Sequence, residues 1–120
     1  MNFLMVALGG ALGAAGRYAI SLLPARSAFP FLTLMTNVLG AILIGFIVGL
    51  VDSREGVSKN VVLFWKTGVC GGFTTFSTFS LEACELWEKG SWLEGGIYIS
   101  LSVVFCILGV VCGKKLSTIG

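Results

Sequence analysis

The residues of this 120-residue chain that could do chemistry are concentrated in one stretch, GVCGGFTTFSTFS, at positions 68–80. Fifteen uncharged residues lie between Lys66 and Glu82, and six of them carry a hydroxyl group. Hydroxyl groups at bilayer depth are costly unless protein or a water-filled path satisfies them. The stretch therefore indicates a polar path inside an apolar surrounding.

Two features of this stretch specify the path further. The glycine pair before Thr74 and Thr75 predicts a helix that breaks in mid-membrane, where free backbone carbonyls can bind a cation. Phe76 and Phe79 are three residues apart, so on a helix they share a face. A polar path beside two aromatic rings indicates the passage of a small ion.

The composition is that of a membrane protein, because 56% of the residues are apolar and only 12% are charged. Uncharged stretches cover 1–16, 27–51, 67–81 and 95–113. A spanning helix needs roughly 20 residues, which predicts a single all-α integral membrane domain with four transmembrane helices. The expected bounds are 2–23, 31–51, 61–87 with a break near 74–77, and 93–112. The first helix follows Met1 without a basic segment, so we expect it to be retained and not cleaved as a signal peptide.

Charge and cysteine content exclude several classes of function. The net charge of +2 comes from scattered residues, and no basic block offers a surface to nucleic acid. The four cysteines form no CxxC pair and the chain has no histidine, so neither a disulfide framework nor a metal cluster is expected. A thiol-exchange enzyme would need the missing CxxC pair.

Polar side chains in the other helices each leave two interpretations open. Arg17 lies deep enough in the first helix to need snorkelling, a carboxylate or a wet vestibule, and it could attract an anion. Thr33 and Asn37 share a face of the second helix, as interhelical hydrogen-bonding groups or as donors to an anion. The same choice, between interhelical hydrogen bonds and pore lining, applies to a polar stripe with a period of four in the last helix. Its members are Tyr98, Ser102 and Cys106.

The charge distribution predicts no fixed orientation in the membrane. Four spans place five cationic residues on one side and three on the other, a weak bias under the positive-inside rule. The first side carries Arg54, Lys59, Lys66, Lys114 and Lys115, and the second carries Arg17, Arg26 and Lys89. Two copies inserted in opposite directions could pair as an antiparallel dimer, and four helices alone enclose no evident pathway.

Three motifs of the chain resemble the Fluc (CrcB-type) fluoride channels. They are GGALGAAGRY in the first helix, TLMTNVLGAILIG in the second and GVCGGFTTFSTFSLE in the third. The resemblance covers almost the whole chain. It implies a dual-topology antiparallel homodimer of four-helix subunits in the cell membrane, with two fluoride pores and a structural sodium ion at the dimer centre.

The resemblance also implies roles for individual residues. The backbone carbonyls of Gly71 and Thr74 are expected to hold the sodium ion, which is the expected cofactor. Phe76 and Phe79 match the family's paired phenylalanines, and Cys106 stands where a hydroxyl residue is usual. The expected fluoride pathway comprises Arg17, Thr33, Asn37, Thr75, Phe76, Ser77, Thr78, Phe79, Glu82, Tyr98 and Ser102.

The predicted function is passive fluoride export that protects against fluoride toxicity, without enzymatic activity. Fluoride, sodium, membrane lipid and a second copy of the chain are the expected partners, and nucleic acid is not. A small four-helix proton-coupled drug or cation transporter is the alternative, but it depends on a membrane-embedded acid and the first helix has none. A purely structural membrane subunit would leave the TTFSTFS run unexplained.

Overall fold

A computed structural model describes residues 1–24 and 28–119 of the chain, and every regular element within them is a helix. Helix α1 covers Asn2–Ser21 and helix α2 covers Phe31–Asp52. These bounds lie within two residues of the expected ones. Arg26, one of the cations in the charge count, lies outside the described residues.

The third helical region consists of two helices separated by two extended residues. Helix α3 is made of Lys59–Val62, the π-helical segment Leu63–Cys70 and Gly71–Phe73. Helix α4 covers Phe76–Glu88. The break at residues 74–75 confirms the interruption that the glycine and threonine pairs predict.

Helix α5 covers Trp92–Ile119, seven residues beyond the expected end at position 112. We expected this helix to end before Lys114 and Lys115, and that expectation of its bounds is wrong. Lysine is a good helix former, and its positive charge is favourable near a helix C-terminus. The two lysines therefore mark the end of the apolar stretch and not the end of the helix.

Glycine residues set the two closest helix contacts. α1 packs along α3, and α2 packs along α5. A Cβ atom placed on Gly9 would collide with the Phe64 carbonyl oxygen, and one on Gly113 would collide with the Ile42 carbonyl oxygen. Backbones approach this closely only where a small residue forms the contact.

The turn between α4 and α5 forms as the Lys89–Gly90 pair predicts. Gly90 has φ of 82°, in the left-handed region that glycine enters without steric cost. Its N–H donates to the Trp87 carbonyl at 3.0 Å, and the Ser91 N–H donates to the Leu86 carbonyl at 2.8 Å, which together make a Schellman motif. The rings of Trp87 and Trp92 stack across this turn with centroids 5.7 Å apart.

Three of the helices, α1, α2 and α5, are individually long and apolar enough to cross a membrane. The small core of the subunit lies between α4 and α5, where Phe79, Ala83, Leu86 and Tyr98 pack together. Many other large apolar side chains are exposed on the single subunit. The arrangement positions the broken helix between α1 on one side and α2 on the other.

Candidate functional site

The break between α3 and α4 is stabilised by the side-chain amide of Asn37. In a continuous helix the Thr75 N–H would donate to the Gly71 carbonyl four residues earlier. Here it donates to Asn37 Oδ1 at 2.8 Å, and Asn37 Nδ2 donates to the Thr75 carbonyl at 3.1 Å. The amide therefore replaces the lost helical partner and leaves the Gly71 carbonyl without its usual donor.

Arg17 provides the second substitute partner at the break. Its Nε donates to the Gly72 carbonyl at 3.1 Å, an oxygen that would accept from the Phe76 N–H in a continuous helix. The guanidinium lies at the C-terminal end of α3, where the helix dipole favours a cation. For this half-buried arginine we expected snorkelling, a carboxylate or a wet vestibule. Among the described residues, the hydrogen-bond partner found is a backbone carbonyl and not a carboxylate.

Hydroxyl groups around the break satisfy the local backbone. Thr74 Oγ1 donates to the Cys70 carbonyl at 2.9 Å, and Thr75 Oγ1 accepts from the Thr78 N–H at 3.1 Å as the N-cap of α4. Ser77 Oγ lies 3.4 Å from Thr75 Oγ1. The N-cap bond explains why α4 begins directly after the extended pair, because it pairs one of the unsatisfied N–H groups of its first turn.

The open side of the break faces a cavity with a volume of about 460 Å³. We call it the central cavity. It brings together residues from α2, α3, α4 and α5 that are far apart in sequence. Predicted site residues in its wall are Asn37, Gly71, Thr74, Thr75, Phe76, Phe79 and Ser102.

Two smaller cavities hold most of the remaining predicted pathway residues. One, of about 120 Å³, is lined by Arg17, Thr33, Thr75 and Thr78 among others. The other, of about 260 Å³, is lined by Thr33 and Glu82, with Lys89 nearby in its wall. Thr75 is shared with the central cavity and Thr33 is shared by the two smaller ones. Neighbouring cavities therefore share wall residues, and neither Ser77 nor Tyr98 lines any of the three.

The aromatic pair of the motif shares a face, as its spacing predicts, but the two rings differ in burial. The Phe76 and Phe79 centroids are 5.6 Å apart with an interplanar angle of 48°. Phe79 is 9% exposed and packs against Tyr98 with a centroid separation of 5.1 Å. Phe76 is 79% exposed in the single subunit and lines the central cavity.

The members of the polar stripe on α5 lie in two different environments. Tyr98 is fully buried, and its hydroxyl donates to Glu82 Oε1 at 3.1 Å, a hydrogen bond between α5 and α4. Ser102 and Cys106 line the central cavity instead. Ser102 Oγ is buried and has no hydrogen-bond partner among residues 1–24 and 28–119.

The model of the CrcB-like protein family, described as Camphor Resistance (CrcB), matches residues 4–114 of the chain. The chain belongs to the CrcB-like family. The matching span contains the whole of the break and all three cavities. The site described above therefore lies entirely within the part of the chain that matches the family. The chain belongs to this family and contains helices that are long and apolar enough to cross a membrane. The protein is therefore a multi-pass integral membrane protein.

Curated relatives in the CrcB-like family carry a functional name. The Fluoride-specific ion channel FluC of Ruminiclostridium cellulolyticum is 47% identical over 120 residues, which cover 98% of this chain and 92% of the relative. The protein of the same name from Clostridium perfringens is 44% identical over 97% of this chain and 93% of its own length. That of Roseiflexus is 38% identical over 99% and 98%. These matches confirm the resemblance seen in the sequence motifs.

Among the wall residues with a charged or thiol side chain, sequence reasoning missed Lys66 and Cys70 as members of the central cavity. A signal was available, because Lys66, Cys70 and Thr74 recur every fourth residue and so share a face with a predicted site residue. The cavity of this CrcB-like protein thus has a cationic side chain in its wall.

Proposed function

We propose that the protein is a fluoride channel that lets fluoride leave the cell passively across the cell membrane and so limits fluoride toxicity. The observation that carries the proposal is the central cavity, whose wall contains the two phenylalanine rings, Ser102, and the pair of hydrogen bonds between Asn37 and Thr75, which we call the clamp. The names of the curated relatives support the same ion. They describe an ion channel and not an enzyme.

The groups around the central cavity suit an anion with a strongly held hydration shell. An amide nitrogen carries two hydrogens, and Asn37 uses one of them for the Thr75 carbonyl, so the second is available to an anion. The Ser102 hydroxyl is a further donor without a partner in the described chain. Phenyl rings have positive edges that attract an anion without trapping it, which suits conduction better than tight binding.

Fluoride efflux from liposomes that contain the purified protein tests this proposal. We expect fluoride to leave down its own gradient, measured with a fluoride electrode, in the absence of any proton gradient. Liposomes that contain the same amount of heat-denatured protein serve as the control for leakage. Fluoride retention together with proton-coupled uptake of a cationic drug would overturn the proposal in favour of the transporter alternative.

We also propose that a structural sodium ion is held by the carbonyl oxygens of Gly71 and Thr74. Two features support the fit: the Thr75 N–H that would occupy the Gly71 carbonyl donates to Asn37 instead, and both residues line the central cavity. Hard cations prefer such oxygen ligands. If the ion is structural, fluoride efflux should fail in sodium-free buffer that contains a bulky organic cation, while radiolabelled sodium should not cross with fluoride. Full efflux without sodium would refute the site.

The proposed assembly is an antiparallel homodimer of four-span subunits, in which α3 and α4 together form the fourth span. Support comes from the weak charge bias of the sequence and from the central cavity, whose wall includes the exposed Phe76 and Gly71. A partner subunit is what could close that side. A single cysteine added after the C-terminus, in a background without native cysteines, should be labelled from both sides of the membrane. Labelling from one side alone would exclude dual insertion.

A further inference from the structure

Helix α5 carries an exposed apolar stripe on the side turned away from the central cavity. Val104, Leu108 and Val111 form this stripe at helical spacing, and they are 51%, 50% and 45% exposed. We call it the outer stripe. Val103 and Val110, which line the central cavity, lie on a different face of the helix. The outer stripe is therefore outside the surface that the proposed second subunit would close, and in a membrane it is left to lipid.

Lys115 continues the outer stripe, because it lies one helical turn after Val111. Its sequence neighbours Gly113 and Ser117 face α2 instead, since a Cβ atom on Gly113 would collide with the Ile42 carbonyl and Ser117 is buried. Lys115 is exposed, and its ammonium makes neither an ion pair nor a hydrogen bond with residues 1–24 and 28–119. A cation without a protein partner thus follows a stripe that faces lipid.

The length of α5 places Lys115 at the level of the lipid headgroups. Trp92 begins the helix and stacks on Trp87, an aromatic pair typical of the boundary between membrane and water. Roughly 20 helical residues cross a hydrocarbon layer of about 30 Å, so the far boundary lies near Cys112. Lys115 is about one turn beyond it. A lysine at this depth extends its charged end toward phosphate groups while its methylene groups stay along apolar surface.

The subunit carries its positive charge at the end that holds Lys115. A Cβ atom on Gly49 would lie 2.9 Å from the Ser117 Cβ atom, so α2 and α5 end side by side. The charged residues around this end are the cations Arg54, Lys59, Lys66, Lys114 and Lys115 and the acids Asp52 and Glu55. The other four acidic residues lie at the opposite end, between Glu82 and Glu94. This distribution favours an anionic headgroup over a zwitterionic one.

We propose that Lys115 and the outer stripe bind one anionic phospholipid, with the ammonium on the headgroup phosphate and the acyl chains along the stripe. An ammonium group carries a full charge and three donors, which suits a phosphate oxygen. Lys114 is outside this site, because it is turned by about 100° from Lys115 and continues the face of Val110. The proposal does not depend on which ion crosses the membrane.

Native mass spectrometry of the full-length protein in a neutral detergent measures this site. The protein is titrated with palmitoyl-oleoyl phosphatidylglycerol or with the phosphatidylcholine of the same acyl chains, in ammonium acetate of about 0.15 M, where exposed charges are screened beyond about 8 Å. Lys115→Gln removes the proposed ligand. Lys114→Gln is the matched control, because it removes the same charge at the same depth from the neighbouring face. Lys89→Gln removes a cation from the acidic end.

We expect the unaltered chain to bind phosphatidylglycerol about fivefold more tightly than phosphatidylcholine, the effect of one lysine near an anionic lipid. Lys115→Gln should lose this preference, whereas Lys114→Gln and Lys89→Gln should keep it within about twofold. Equal loss in Lys114→Gln and Lys115→Gln would assign the preference to diffuse charge. An unchanged preference in Lys115→Gln would place the lipid elsewhere, and either result would overturn the proposal.

The headgroup alone distinguishes a lipid from a free anion. Glycerophosphoglycerol has the same phosphate as phosphatidylglycerol but no acyl chains, so it cannot contact the outer stripe. At matched ionic strength it should leave the bound phosphatidylglycerol in place, because apolar contact contributes in proportion to the area covered. Displacement of the lipid at comparable concentrations would mean that the phosphate alone is recognised, and the lipid would be rejected as the occupant.

Discussion

Gly71 and Gly72 are neighbours in one helix, yet they face two different environments. A Cβ atom on Gly72 would lie 2.5 Å from the Gly10 carbonyl oxygen of α1, whereas a Cβ on Gly71 would meet no atom of the subunit within 4 Å. Gly71 has ordinary helical angles, with φ of −64°. One glycine is therefore required by close packing, and the other leaves a space open.

The two glycines define a packed face and an open face of α3. The packed face also contains Gly68, whose Cβ would come within 2.8 Å of the Gly9 Cα atom. The open face contains Cys70 and Thr74, which line the central cavity with Gly71. The same residue type thus supports close packing on one side and leaves room for the central cavity on the other, and the sequence motif alone does not separate these two reasons.

The largest effect is expected from one substitution made on each face in turn. Gly72→Ala should destabilise the subunit by about 1–3 kcal/mol, because the new methyl group overpacks the contact with α1. Gly71→Ala should leave the folded subunit intact, since nothing in it lies near the new methyl group. The stability of both variants is measured by thermal unfolding, in which size-exclusion chromatography quantifies the folded protein that remains.

The Gly71→Ala variant also tests the proposed dimer. Because Gly71 has a helical φ, alanine fits its backbone conformation without strain, so a defect of this variant would come from closeness to a second subunit. Loss of dimer with retention of folded subunit would place Gly71 at the interface. Equal loss of stability in Gly71→Ala and Gly72→Ala would contradict the distinction between the two faces.

The second-largest effect is expected at Asn37, whose two hydrogen bonds to Thr75 form the clamp at the helix break. Asn37→Leu should remove both partners of Thr75 and leave its C=O unpaired, at a cost of about 1–3 kcal/mol where that group stays buried. The Thr75 N–H is then free to return to the Gly71 carbonyl. We expect fluoride efflux to fall to the background of protein-free liposomes.

Asn60→Leu is the matched control for this variant, because the same change is made at a partly exposed position at the start of α3, away from the break. It should alter stability by no more than about 0.5 kcal/mol, as surface substitutions usually do. Normal efflux in Asn37→Leu would show that the break persists without its clamp.

The helix break could be read from the sequence because its causes are local. Glycine and threonine pairs predict an interruption near 74–77, and the extended residues are Thr74 and Thr75. The partners of the break could not be predicted, because Arg17 and Gly72 are 55 residues apart in sequence and meet only after α1 has packed on α3. The π-helical segment Leu63–Cys70 also has no signal in composition or periodicity.

The glycines Gly9, Gly13 and Gly16 share one face of α1, but their contacts are not equal. Cβ atoms on Gly9 and Gly13 would collide with backbone atoms of α3, whereas one on Gly16 would make an ordinary contact of 3.6 Å with the Phe73 ring. Spacing identifies the face, and only the crossing of the two helices decides where along it the backbones touch. The roles of the pathway residues stay predictions for the same reason.

A smaller effect distinguishes the two rings that share the cavity. Phe79→Ile should cost about 1 kcal/mol of stability, because a buried ring that packs on Tyr98 is replaced by a similar volume. Phe76→Ile should cost close to nothing in the single subunit, since that ring is exposed. Each change removes a ring edge worth about 0.5–1.5 kcal/mol, so efflux should fall roughly two- to tenfold in both variants.

Stability and efflux therefore separate for these rings. Thermal unfolding should single out Phe79→Ile, while fluoride efflux should fall in both variants at equal protein content. Unchanged efflux in both would mean that the rings only pack. A drop in efflux restricted to Phe79→Ile would assign the effect to the distorted core and not to the ring edges.

The smallest effect is expected at Thr74, although it lies at the centre of the break. Its hydroxyl donates to the Cys70 carbonyl at 2.9 Å, and the group proposed to hold sodium is its backbone carbonyl. Thr74→Ser retains both, and it removes a methyl group that lies where a Cβ on Gly40 would be placed. Sodium-dependent efflux should therefore stay within about twofold of the unaltered chain, a change of less than 0.5 kcal/mol.

Thr74→Val is the informative partner of that variant, because it preserves the shape and the carbonyl but removes the hydroxyl donor. The Cys70 carbonyl still accepts the Thr74 N–H at 3.1 Å, so it does not become an unpaired group. We expect a loss of no more than about 1 kcal/mol, the net worth of one hydrogen bond, with the sodium requirement unchanged. A lost sodium requirement in Thr74→Val but not in Thr74→Ser would move the cation from the backbone carbonyl to the hydroxyl, and the open face would then be defined by a side chain.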